Sequence, residues 1–86
     1  MAQSSVNDAA SSTLLLASNS ERKGAAIWND STAVLYVLLG SGTASATVAS
    51  AKIAADGYYE TPPTYTGAIT GIWASDASGA ARITEW

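Results

Sequence analysis

Between Thr13 and Trp86, short apolar runs alternate with clusters of Gly, Asn, Asp and Ser at intervals of roughly 8 to 12 residues, the rhythm of strands and turns in an all-β sandwich or barrel. Strands are predicted at residues 12–17, 24–29, 33–40, 47–54, 57–61, 67–74 and 80–86, giving a small antiparallel β-sandwich or barrel of about seven strands. Val34-Leu35-Tyr36-Val37-Leu38-Leu39 is apolar at every position, so it belongs to a strand covered on both faces at the centre of the fold. In residues 67–74, Ile69, Gly71 and Trp73 share one face and Ala68, Thr70, Ile72 and Ala74 the other, with the bulky set turned to the core. The last strand alternates Ala81, Ile83 and Glu85 against Arg82, Thr84 and Trp86. Residues 1–12 are Ala, Ser, Gln, Asn and Asp with Val6 as the one sizeable apolar group after the first residue, and read as an extended N-terminal arm, mobile or ordered by a neighbour, ahead of a single domain at 13–86.

Turn chemistry supports the boundaries. Asn29-Asp30-Ser31, Ser41-Gly42, Asp56-Gly57 and Ser78-Gly79 each supply a residue tolerant of positive φ or a side chain that caps its own turn, and Asp56-Gly57 is the strongest hairpin signal. Pro62-Pro63 cannot donate to a ladder and ends the strand of Tyr58 and Tyr59. Residues 43–55 are Ala-rich enough for a helical reading, but Thr47, Val48 and Ile53 favour a strand; the overlapping tract 41–51 is low in complexity and reads equally as a wandering edge strand or loop and as a regular element.

Composition narrows function mainly by exclusion. With no cysteine among its 86 residues the chain has no disulfide or thiolate metal site, and with no histidine it lacks the commonest general base and metal ligand. Its net charge of −3 repels phosphate backbones and anionic lipid, so neither nucleic acid nor membrane is an expected partner. No stretch approaches the roughly 20 apolar residues of a membrane span, and the run from Leu14 to Ala17 is shorter than the 7 to 15 or so of a signal-peptide core, so synthesis in the cytoplasm as a soluble chain is expected. Charged residues are only 13 %, about half the usual share, which leaves a neutral surface. A domain this small without a staple gains only about 3 to 5 kcal/mol from its own core, so part of that surface is expected to be buried against another chain.

The candidate chemistry is sparse. The carboxylates Asp8, Glu21, Asp30, Asp56, Glu60, Asp76 and Glu85 offer no pair at a spacing that suggests acid and base, so no enzyme and no cofactor is expected; a glycan hydrolase is the remaining enzymatic alternative. Asn29, Asp30, Ser31 and Thr32, with Asp76 and Ser78, gather oxygens that suit either calcium or self-capped turns. Trp28, Tyr36 and Trp73 are expected in the core, while one of the adjacent Tyr58 and Tyr59 faces outward to a partner. Glu21-Arg22-Lys23 reads as a solvated turn, or as a contact with an acidic neighbour. Val6, Leu14, Arg22, Lys23, Tyr58, Tyr59 and Trp86 are the candidate protein-interface residues.

The succession Thr13-Leu14-Leu15-Leu16-Ala17, Arg22-Lys23-Gly24-Ala25-Ala26-Ile27-Trp28-Asn29-Asp30-Ser31, Val34-Leu35-Tyr36-Val37, Gly57-Tyr58-Tyr59-Glu60, Tyr65-Thr66-Gly67-Ala68-Ile69-Thr70-Gly71-Ile72-Trp73-Ala74 and Ala81-Arg82-Ile83-Thr84-Glu85 resembles a family of small β-sandwich virion proteins of tailed bacteriophages. The resemblance covers nearly all of the chain beyond the arm and is carried by strands and turns, so it transfers no functional residue. It implies a non-catalytic capsid decoration or cement protein, located in the virion and bound to the major capsid protein or another virion protein, with copies grouped as a homotrimer. The alternative it leaves open is a head-fibre or tail-associated module recognising host surface glycan through Tyr58, Tyr59 or Tyr65.

Overall fold

The computed structural model describes residues 2–75 and 78–86, so Asp76, one of the suggested oxygen ligands, lies outside the described residues. Eight strands form among them: β1 (Ala2–Asn7), β2 (Thr13–Leu16), β3 (Ala25–Ser31), β4 (Leu35–Leu39), β5 (Ala51–Ile53), β6 (Tyr58–Glu60), β7 (Ile69–Trp73) and β8 (Gly79–Glu85). They make two four-stranded antiparallel sheets, ordered β1-β8-β3-β6 and β2-β7-β4-β5, the arrangement of a small β-sandwich.

Alternation fills the space between the sheets. The second sheet turns Leu15, Leu35, Val37, Ile53, Ile69 and Trp73 inward, and the first supplies Ile27, Ala81 and Ile83. The facing set expected of Ile69, Gly71 and Trp73 is the buried one. Gly71 is required by close approach: a β-carbon there would sit 2.8 Å from Leu15 Cδ1, 3.1 Å from Leu35 Cδ1 and 3.2 Å from the Tyr36 carbonyl oxygen. Gly71→Ala is expected to cost about 1 to 3 kcal/mol by overpacking, read as a lower urea midpoint with an unchanged slope.

Several expectations are corrected. Residues 2–7 are an eighth strand, not a loose arm: Ala2 to Asn7 pair one by one with Glu85 to Ala80 of β8. The strand favoured over a helix in residues 43–55 is present but shorter than expected, Ala51–Ile53 in place of 47–54. The remainder is a loop held across β7, where Thr70 Oγ1 donates to the carbonyls of Gly40 and Gly42 at 3.4 and 3.1 Å and the Ala44 amide donates to Ser12 Oγ at 2.9 Å. These bonds fix the path of the loop. Tyr36 and Leu38 lie half-buried on the outer side of β4, so that strand is fully covered on its inner face only. Asp56-Gly57 makes a turn, closed by the Gly57 amide on the Ala54 carbonyl at 2.8 Å, but it is no hairpin. It carries the chain from β5 in one sheet to β6 in the other.

Candidate functional site

Cross-strand register arranges the outward side chains of the first sheet in rows. Ser5, Arg82, Trp28 and Tyr58 run across β1, β8, β3 and β6, and beside them run Gln3, Thr84, Ala26 and Glu60. The first row is tall and the second is low at its middle, and the step between them opens a groove of about 370 Å³. Trp28 and Tyr58 bound it at one end and Gln3 and Ser5 at the other, over a floor of Ala26 and Thr84. The two aromatics are directly opposed across β3 and β6 yet 44 % and 65 % exposed, an unusual amount of neighbouring ring surface to leave in water.

The tall side chains are held in place. Trp28 Nε1 donates to Asp56 Oδ1 at 3.2 Å, and Asp56 sits in the turn after β5 with φ of 65°, a conformation Asp tolerates better than most residues. Arg82 Nε donates to Asp30 Oδ2 at 3.1 Å while its Nη1 donates to Ser5 Oγ at 3.1 Å. Half exposed, the Arg82–Asp30 pair contributes under about 1 kcal/mol, so its consequence is positional: it fixes where the guanidinium lies beside Trp28.

Two buried polar residues close the ends of the sandwich and thereby set the frame of this face. At one end Arg22 is wholly buried; its Nε donates to Glu85 Oε2 at 2.6 Å, Nη1 to the Gly67 carbonyl at 2.8 Å and Nη2 to the Ala17 carbonyl at 2.5 Å. At the other, the Asn29 side-chain amide donates to the carbonyls of Ala33, Ile53 and Ala54 at 2.8 to 3.1 Å, and its oxygen accepts from Ser31 Oγ and Trp73 Nε1 at 2.7 and 3.1 Å. Among the described residues no buried side-chain nitrogen or oxygen is left without a partner.

The expected interface residues do not share one surface. Tyr58 faces outward on the first sheet, while Tyr59 packs against the core, as their opposite parity requires. Val6 is half-buried against the core, and Leu14 is 53 % exposed on the outside of the second sheet. Lys23 is exposed, and Trp86 lies over Gly24, whose β-carbon would sit 2.8 Å from the indole. Arg22 is the clear correction: it is no solvated turn residue, because three carbonyls and a carboxylate replace its water. Tyr65 donates its hydroxyl to the Ala68 carbonyl at 2.6 Å and packs against the core, which removes it from the aromatic face. Of the suggested oxygen ligands, Asn29 points inward, Asp30 holds Arg82, Ser31 bonds Asn29 and the Ala33 carbonyl, and Thr32 accepts from the Ser78 amide. They act as turn and sheet fasteners, and among the described residues no three acidic side chains gather at one point.

Trp28 and Tyr36, expected in the core, both lie on outer faces. A signal for Trp28 is present in the sequence: along β3 it shares parity with Asp30, a charged residue, whereas Ile27 shares parity with Asn29. Asn29 obscures the signal, since a polar side chain on the inner face makes both faces look alike. No family model, curated protein or solved structure matches this chain.

Proposed function

We propose that the protein is a structural, non-catalytic component of a tailed-phage virion, a capsid decoration or cement protein that fastens to the capsid or to neighbouring copies through β1. The observation that carries this reading is the make-up of that strand. Ala-Gln-Ser-Ser-Val-Asn lies at the edge of the first sheet, exposed along most of its length, with Val6 alone packed against the core. Such a strand is held by its backbone bonds to β8 and by little buried surface. It can therefore accept a partner strand at its outer edge or exchange into the matching place on a neighbour. The weakly charged surface and the resemblance to phage virion proteins support the same reading, and exchange around a ring would group copies as a trimer.

Deleting residues 2–7 is expected to abolish binding to capsids stripped of the protein, while far-UV circular dichroism shows that the remaining strands persist. Undiminished capsid binding by the deletion variant overturns the role of β1. Particles lacking the protein are expected to release DNA at a lower temperature than complete ones, and equal release temperatures count against cementing.

A further inference from the structure

We infer that the groove on the outer face of the first sheet, to which β1 contributes Gln3 and Ser5, is a binding site for a neutral saccharide. Its cross-section is amphipathic in the way a pyranose ring is. Trp28 and Tyr58 offer apolar ring faces to the sugar's C–H face, and across the floor Gln3, Ser5 and Thr84 offer groups that both donate and accept hydrogen bonds to hydroxyls. Ala26 is what makes the space, because a larger residue at this point of β3 would fill the step between the two rows.

Charge selects the ligand. Arg82 is the one charged side chain among the described residues that line the groove, and it is already paired with Asp30. With that charge already answered, the lining offers an anionic sugar, a phosphate or an acidic peptide no free counter-charge, whereas a neutral ring needs none. The volume of about 370 Å³ is at the small end for a ligand pocket, which suits one or two sugar rings and not an extended protein surface. The indole is fixed in advance by its bond to Asp56, so little side-chain freedom is lost on binding.

The test titrates the full chain with cellotetraose, maltotetraose and chitotetraose, with tetragalacturonate as the acidic comparison and a decaproline peptide as the non-sugar one. The readout is two-dimensional NMR, including the Trp28 indole N–H. Saturable shifts with at least one neutral saccharide, confined to β1, β3, β6 and β8, are expected. Trp28→Ala is expected to weaken binding by about tenfold or more. Ala26→Tyr leaves Trp28 in place but fills the groove, and is expected to abolish binding without altering the fold, so the site remains testable if the Trp28 variant unfolds. No response to any neutral saccharide up to about 10 mM, a response to tetragalacturonate or decaproline alone, or full binding by the Ala26→Tyr variant overturns the inference.

Discussion

Replacing Arg22 by methionine is expected to destabilise the protein by about 3 to 5 kcal/mol, comparable to all that a domain of this size gains from its own core. The size follows from what the guanidinium joins. Its three nitrogens tie the connection between β2 and β3, through Ala17, to the connection between β6 and β7, through Gly67, and to Glu85 near the end of β8. Methionine fills a similar volume but donates nothing, so Glu85, whose side chain is 19 % exposed, loses its counter-charge and the carbonyls of Ala17, Tyr65 and Gly67 lose their donors. Lysine retains the charge yet has a single nitrogen that cannot span the three directions, so Arg22→Lys is expected to recover only part of the loss. Glu85→Gln keeps an acceptor for Nε and is expected to cost about 1 to 2 kcal/mol. Urea unfolding of the three variants decides the matter: a methionine variant within about 1 kcal/mol of the parent would show that the network is ornamental.

Asn29→Asp, a change of one atom, is expected to cost about 3 kcal/mol or more. The side-chain amide of Asn29 supplies two N–H groups to three carbonyls from the end of β5 and the turn after β3. A carboxylate there replaces the two donors by a second, negatively charged oxygen facing the three carbonyl oxygens, in a position with no solvent exposure. The oxygen that accepts from Trp73 Nε1 and Ser31 Oγ survives the change, so the loss isolates the donated half of the network. Near-UV circular dichroism of Trp73 and the thermal midpoint should fall together. An aspartate variant as stable as the parent at neutral pH would mean that the three carbonyls find other donors.

Period-two alternation made the strands of the inner core legible: Ile69 and Trp73, or Ile83 and Ala81, announce their face by residue type alone. Size alone misplaces Trp28: a large ring in a small domain is expected in the core, whereas its partner in parity, Asp30, marks the outer face. β1 was invisible for a different reason. Ser and Gln carry no hydrophobic signal, and what makes Ala2–Asn7 a strand is the unsatisfied edge of β8, more than 70 residues away in the chain. Turn residues were recognisable as turns, but whether a turn closes a hairpin or passes from sheet to sheet depends on which strands pair, and no local sequence encodes that. Of the binding face, Tyr58 was legible; the groove was not, since it arises from Ala26 lying beside Trp28 and Tyr58 only after three strands are in register.

The alternation of the chain between its two sheets bears on how the protein is made. Only β4 and β5 are neighbours both along the chain and in a sheet, and even they are separated by a long loop. β8 lies between β1 and β3, so on the ribosome the first sheet has no middle until the β8 segment emerges. Until then the layer opposite the apolar β4 segment is reduced to the short β3–β6 pair, and the nascent chain leaves much of its apolar surface uncovered. Folding should accordingly be a single late event on the millisecond-to-second scale of strongly non-local β topologies, and interruption of synthesis before β8 should yield aggregate, not a partly formed sandwich.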